Sequence, residues 1–192
     1  KGFGFIKSHS SYVSMFNNWF TTLNNTAGYI YIIRDPRDVA ISWSKHANLS
    51  YDDSISFMSN FNSCIEWAQT NSELPDNVKP KTFLSSWDEH VLSWTKNNLD
   101  VPKLVLRYED LVYKKEEVVK IIVKFFEKNF KIKFNSIDEK IVNIVESTSF
   151  EKLKSQENEY GFAEASSGAF FRKGEKNQWK NELNVEQIAR LE

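Results

Sequence analysis

Residues Tyr29 to Arg34 read Tyr-Ile-Tyr-Ile-Ile-Arg, and Asp-Pro-Arg-Asp-Val-Ala-Ile-Ser-Trp-Ser-Lys-His follows without a break. A continuous β-branched and aromatic run of this length suits a strand in a parallel sheet covered on both faces. Pro36 can sit in a first helical turn, because the N–H it lacks would be unpaired there. A helix is therefore predicted over Val39 to His46. Phe3 to Lys7 and Lys103 to Arg107 are two further strands by the same reasoning. Between them, apolar residues at helical spacing predict a helix from Asp52 to Thr70. Ser86-Trp87-Asp88-Glu89 has the form of a capping box opening a helix through Trp94. Glu116 to Lys128 is an amphipathic helix, and Ser136-x-x-Glu139 caps another through Glu146. Asn71 to Lys81, with Pro75 and Pro80, is the longest irregular loop. Strands alternating with helices make this an α/β fold with a mostly parallel sheet, and 192 residues suit one domain with a sizeable core.

The composition narrows the function. Twenty-five Lys and Arg stand against 26 Asp and Glu, a net charge of −1, so nothing draws the chain to nucleic acid. No apolar run approaches the ~18–20 residues of a membrane span, and a cytoplasmic domain is expected. Cys64 is the only cysteine and the histidines are scattered (His9, His46, His90), which argues against disulfide and metal sites. The chain opens on Lys1 rather than Met. At the other end, Asn184 with Gln187 three residues on opens a helix that stops after about two turns. The expectation is a fragment cut at both ends.

Open parallel sheets bind ligands at the carboxyl ends of their strands. Here those ends are Lys7-Ser8-His9, Arg34-Asp35-Pro36-Arg37-Asp38 and Arg107-Tyr108-Glu109-Asp110. Together they deliver cations, a histidine and a tyrosine to one edge, which suggests an anionic ligand. Each also has an ordinary reading: Asp35 and Asp38 as helix caps, Arg34 paired with Glu109. The second strand end is the sharpest. Arg34 can clamp a phosphate bidentately, Ser42 can donate one bond about two turns into the next helix, and the helix N-terminus adds amides and partial positive charge. A serine taken alone equally suits a small-residue packing face. Arg172-Lys173-Gly174 adds two cations and a glycine that frees the backbone for close approach, though alone it is a common surface turn. Thr148-Ser149-Phe150 reads as a helix cap plus a core aromatic.

Taken in order, these segments resemble the sulfotransferases that use 3′-phosphoadenosine 5′-phosphosulfate (PAPS). Lys7-Ser8-His9 is similar to the family's Lys-Thr-His. Tyr29 to His46 resembles its 3′-phosphate-binding strand and helix, in wording closer to bacterial members. Ser-Trp-Asp-Glu-His-Val-Leu-Ser-Trp, followed by Leu-Val-Leu-Arg-Tyr-Glu-Asp-Leu, resembles two more family segments. Thr148-Ser149-Phe150 and Phe170 to Asn184 resemble the adenine segment and the segment that closes over the nucleotide. The family's second glycine in that closing segment is Asn177 here, and Asn tolerates a left-handed backbone best among the other residues. The family's 5′-phosphosulfate-binding loop, Pro-Lys-Ser-Gly-Thr-Thr-Trp in type, does not occur in Lys1 to Ile6, and the strand that leads into it is missing too.

The resemblance implies a P-loop-type parallel sheet flanked by helices, incomplete at the N-terminus. The implied reaction transfers a sulfuryl group from PAPS to an acceptor hydroxyl or amine on a small molecule, leaving adenosine 3′,5′-bisphosphate (PAP), with no metal. His9 is then the base that deprotonates the acceptor, and Lys7, on the same side of its strand, stabilises the transferring group. Arg34 and Ser42, joined by Arg172, Lys173 and Gly174, hold the 3′-phosphate. Tyr108, Phe150 and Thr148 attend the adenine. Trp87, Trp94 and Trp179 are expected in the core, with His46 and His90 structural. The acceptor pocket is expected from loops after Ser10, around Asn48 to Ser54 and around Ser155 to Ser167. Without the phosphosulfate loop and its strand, the fragment is expected to transfer poorly and to self-associate through an exposed sheet edge. The competing readings are a P-loop small-molecule kinase and a non-catalytic nucleotide-binding or interaction domain of the same fold.

Overall fold

The computed structural model describes residues 4–15, 17–66, 81–165 and 168–192. In chain order its elements are β1 (Ser14–Met15), β2 (Asn18–Trp19), β3 (Tyr29–Ile33), α1 (Pro36–Ala47), α2 (Tyr51–Met58), β4 (Cys64–Glu66), β5 (Lys81–Phe83) and α3 (Trp87–Thr95). There follow β6 (Lys103–Arg107), α4 (Tyr108–Tyr113), α5 (Lys115–Phe130), α6 (Ile137–Ser147), α7 (Phe150–Tyr160), α8 (Trp179–Glu182) and α9 (Val185–Ala189). They group into two compact units, residues 1–27 with 55–100, and residues 28–54 with 101–192.

The second unit is built on the parallel pair β3–β6, in register from Tyr29 opposite Lys103 to Ile33 opposite Arg107. The sequence predicted both strands, and the alternation with helices makes the fold α/β. Gly28 opens β3 where no side chain fits. A β-carbon there would lie 2.8 Å from both the Phe130 ring and the Pro102 carbonyl oxygen. α1 begins at Pro36, three residues before the predicted Val39, with the proline at the first position, where its missing N–H costs nothing, and Asp35 as N-cap. Ala40, Ile41, Leu106, Val118, Val119, Ile141 and Leu183 form the buried apolar core of this unit. Ser54 is fully buried and donates to the Ala40 carbonyl at 2.7 Å. Asn184 and Gln187 complete the predicted capping box at α9.

The first unit holds two antiparallel pairs, β1–β2 and β4–β5, and helix α3. Its N-terminal segment is tied down by side chains and backbone. Ser11 N–H donates to the Phe83 carbonyl at 2.9 Å, Tyr12 N–H to Ser93 Oγ at 3.0 Å, and Trp94 Nε1 to the Ser10 carbonyl at 2.9 Å.

Several expectations need correction. Residues 4–7 of the predicted first strand form no ladder among the described residues, and Phe5 and Ile6 are exposed. An apolar run becomes a strand only when a neighbouring strand takes its amides. The predicted helix Asp52 to Thr70 stops at Met58, and its later part includes β4, with 67–70 outside the described residues. Ser86 precedes α3 but makes no capping bond. Its hydroxyl instead serves the Asp88 carboxylate, which holds that carboxyl below its ordinary range. Ser136 also caps nothing, since its φ of 52° lies outside the extended geometry a cap requires. The sheet is not covered on both faces: Ile32 is 51% exposed and Val105 40%. Residues 71–80 of the predicted loop lie outside the described residues, while Lys81 begins β5. Tyr51–Ser54 and Ser155–Tyr160, expected in acceptor loops, are helical.

Candidate nucleotide site

The site grows from the short link between β3 and α1. Arg34 is half-buried and its guanidinium lies over the Tyr108 ring, 4.4 Å from the centroid. Tyr108 stands just after β6, so the parallel pairing of the two strands is what brings arginine and ring together. Arg34 Nη2 reaches the Glu175 carbonyl at 3.5 Å, while its Nε is buried without a hydrogen-bond partner. A buried guanidinium N–H left open suits a group that accepts, such as a phosphate oxygen. Stacking on Tyr108 also fixes the plane in which that group must arrive.

The ordinary reading holds for Asp35. Its Oδ1 caps α1 by accepting from Arg37 N–H at 3.0 Å, and its carboxylate pairs bidentately with the Arg37 guanidinium at 2.9 and 2.8 Å. Burial alone would raise its pKa, but the bonds and charge of Arg37, with Arg107 adding, hold it below the usual carboxylate range. One amide of the α1 N-terminus, that of Arg37, is thus taken by a carboxylate of the chain itself. Among the described residues Arg34 pairs with no carboxylate within ion-pair distance. Glu109 Oε1 instead accepts from Asp35 N–H at 3.1 Å. Arg37 in turn lies 3.8 Å over the Trp179 ring and bonds Glu192 at 3.0 Å.

The closing segment lies in the same unit. Gly174 has φ of 63°, and the Phe150 ring fills the place its side chain would take, 2.5 Å from a built β-carbon. Phe150, Phe162, Phe170 and Phe171 form a ring cluster, with Phe150 to Phe171 at 6.3 Å and Phe162 to Phe170 at 4.6 Å. Lys173 Nζ sits 3.3 Å from Glu182 Oε1, and the other Glu182 oxygen accepts from the Tyr51 hydroxyl at 2.5 Å. The Tyr51 bond, then Lys173 and Lys45, hold Glu182 below its ordinary pKa against the effect of burial. Lys176 N–H donates to the Tyr113 hydroxyl at 3.2 Å.

The structure brings Arg34 beside Tyr108 and Phe150 beside Gly174, whereas the sequence reading assigned Arg34 and Gly174 to a phosphate and Tyr108 and Phe150 to an adenine. Tyr108 faces the guanidinium, a contact the sequence did not suggest. Ser42 is exposed on α1. Thr148 is exposed too, its hydroxyl turned to the Ile144 carbonyl at 2.6 Å and its own carbonyl accepting from Lys115 Nζ. Arg172 is half-buried. Lys7 and His9 belong to the first unit, and both are exposed. There His90 Nε2 donates to the His9 carbonyl at 3.1 Å, and burial lowers the His90 pKa although that bond works to raise it. Trp87, Trp94 and Trp179 are half-buried rather than fully in the core. The sequence reading gave Asp38 only as a helix cap, whereas its carboxylate accepts from Asn177 and Trp179 N–H, and it did not single out Glu157 or Glu182, each a charged residue on a helix near a motif.

Comparison with known proteins agrees with the geometry. A rabbit (Oryctolagus cuniculus) amine sulfotransferase is 27% identical over 179 residues, covering 88% of this chain and 53% of that protein. The dog (Canis lupus familiaris) sulfotransferase 1B1 is 30% identical over 170 residues, covering 85% and 51%. The chain spans about half the length of the curated relatives it matches. Among solved structures, mouse sulfotransferase SULT7A1 complexed with PAP superposes with a TM-score of 0.57 at 23% identity, over 83% of this chain and 54% of that one. Retinol dehydratase, in complex with androsterone and the inactive cofactor PAP, gives 0.57 at 24%, over 84% and 44%. Both show the same fold. The sulfotransferase domain model matches residues 2–192, so every motif described above lies within it, and the chain belongs to the sulfotransferase domain family.

Proposed function

We propose that this chain carries the 3′-phosphate and acceptor-activating parts of a PAPS-dependent sulfotransferase of bacterial type, acting in the cytoplasm on a small-molecule hydroxyl or amine. The observation that carries the reading is the half-buried Arg34, stacked on Tyr108 with its buried Nε open, beneath the closing segment. PAPS, when bound, supplies the sulfuryl group to be transferred. All other roles fall to the chain. Arg34, Ser42, Arg172 and Lys173 hold the 3′-phosphate, and Gly174 allows the backbone to approach. Lys173 exchanges Glu182 for that phosphate. Phe150 packs on the adenine with Thr148 beside it, and Tyr108 steadies Arg34 while meeting the base by its edge. His9 takes the acceptor proton as the acceptor atom attacks, and Lys7 stabilises the charge that builds up.

No Pro-Lys-Ser-Gly-Thr-Thr-Trp-type loop occurs within residues 1–192, so weak turnover by the chain alone is part of the proposal. So is self-association through an exposed sheet edge. Among the described residues no helix is long and apolar enough to cross a membrane.

Calorimetric titration with adenosine 3′,5′-bisphosphate and with 5′-AMP tests the reading. A clear preference for the bisphosphate, abolished in Arg34→Ala, is expected. Equal affinity for the two ligands, or a preference that survives Arg34→Ala, would refute it.

A further inference from the structure

Arg172, Lys173 and Gly174 stand in a stretch, residues 168–178, with no helix or strand of its own. Both ends of that stretch are held by carboxylates from elsewhere in the unit. Upstream, Phe170 N–H and Phe171 N–H donate to the two oxygens of Glu157 at 2.5 and 2.9 Å. Downstream, Asn177 N–H and Trp179 N–H donate to the two oxygens of Asp38 at 2.7 and 3.2 Å. Glu157 is 9% exposed and Asp38 1%. Carboxylates are rarely buried so fully unless they are well bonded. Here each spends both oxygens on two backbone amides of one loop.

The local geometry fits that use. Asn177 is left-handed at φ 61°, and Gln178 after it is right-handed at −59° and −29°. Alternating handedness turns successive amides to one side and makes a concavity for an anion, which Asp38 fills. Asparagine thus meets the backbone demand that glycine meets elsewhere in the family, and the turn survives the departure. Between the two carboxylates hang the five residues Arg172 to Lys176. They touch Arg34 through the Glu175 carbonyl and Tyr113 through the Lys176 amide.

Resting on the function proposed above, we infer that Glu157 and Asp38 are positioning residues, a two-point carboxylate clamp that sets Arg172–Gly174 against Arg34 and so confers the preference for a 3′-phosphate. An amide side chain cannot replace either carboxylate, because its NH₂ would face a backbone N–H and only one acceptor would remain.

The test uses Asp38→Asn and Glu157→Gln, which preserve shape, in titrations with adenosine 3′,5′-bisphosphate and 5′-AMP. Each variant should bind the bisphosphate at least about tenfold more weakly, as expected for losing a bond to an ionised acceptor, with 5′-AMP affinity within about twofold. Asn177→Gly should keep the preference and Asn177→Ala should lose part of it. Amide exchange at Asn177 and Trp179 should speed up in Asp38→Asn. An unchanged ratio of the two affinities in both carboxylate variants would overturn the clamp. So would equal losses of both ligands together with a lower unfolding midpoint, the signature of a merely structural role. A wild-type preference that Arg34→Ala abolishes and the clamp variants leave intact would sink the clamp alone. A wild type with no preference would overturn both this inference and the function it rests on.

Discussion

Replacing Gly174 with alanine tests the closing segment at its tightest point. The new β-carbon would lie 2.5 and 2.7 Å from Cδ2 and Cε2 of Phe150, and 3.1 Å from Cγ. Real β-carbons do not approach ring atoms that closely, so ring or backbone must move. The backbone is also at φ 63°, where an L-residue costs about 1–2 kcal/mol. Overpacking against a ring that cannot easily yield adds about 1–3 kcal/mol. Phe150 is held from behind by the Phe171 ring and by its place at the start of α7, whose cap Ser149 accepts from Lys152 N–H. The loop is held in turn by Glu157 three residues before Gly174 and Asp38 three residues after it. Together the two terms amount to about 2–5 kcal/mol against the closed arrangement, at least about a thirtyfold loss of bisphosphate affinity. Adding Phe150→Leu to Gly174→Ala should relieve the clash and leave the backbone strain, recovering about 1–3 kcal/mol in a double-mutant cycle read by thermal unfolding and calorimetry. Gly174→Ala with wild-type binding and wild-type unfolding would show that the segment does not close against Phe150. A cycle with no coupling would show that the ring is not what excludes the side chain.

Three further outcomes can be checked by denaturation. Gly28→Ala should destabilise by about 1–3 kcal/mol, because its β-carbon would press on the Phe130 ring and the Pro102 carbonyl; chemical denaturation reads the loss. Ser54→Ala should cost about 1 kcal/mol through the lost bond to the Ala40 carbonyl. His90 binds its proton more weakly folded than unfolded, so below about pH 6.5 the unfolded chain takes up more protons. Stability should therefore fall as pH drops from about 6.5 towards the lower folded pKa. His90→Gln should flatten that slope in urea titrations at several pH values, and a slope unchanged by the substitution would refute the assignment.

What could be read from the chain was what is local and periodic. Tyr29–Ile33 is a continuous β-branched and aromatic run and Lys103–Arg107 has an apolar centre, Leu104 to Leu106, and their parallel pairing puts Arg34 beside Tyr108. The Asn184 box was legible because both of its bonds lie within four residues. α2 was misread because the apolar spacing continues past its end through Phe61 and Ile65. Ser59 and Ser63 there bond the carbonyls of Ile55 and Phe57, and the Asn60 side chain accepts from Asn62 N–H, which turns the chain out of the helix. Phe61 is left 66% exposed. Asp38 and Glu157 were invisible for a different reason. Their partners are backbone amides, which every residue has, and for Asp38 they lie 139 and 141 positions away. No side-chain pattern marks such a bond.

The Lys173–Glu182 pair makes the closing segment an ion exchanger in miniature. In the structure the lysine is already neutralised, by a carboxylate that also accepts from Tyr51. On the proposed function, a phosphate arriving there would displace one anion from the lysine rather than meet a bare cation. The gain in attraction is then the difference between two anions, smaller than a count of Lys and Arg would imply. Added salt, which competes with both anions alike, should weaken bisphosphate binding less steeply in the wild type than in Glu182→Gln, where the lysine is left to the solvent.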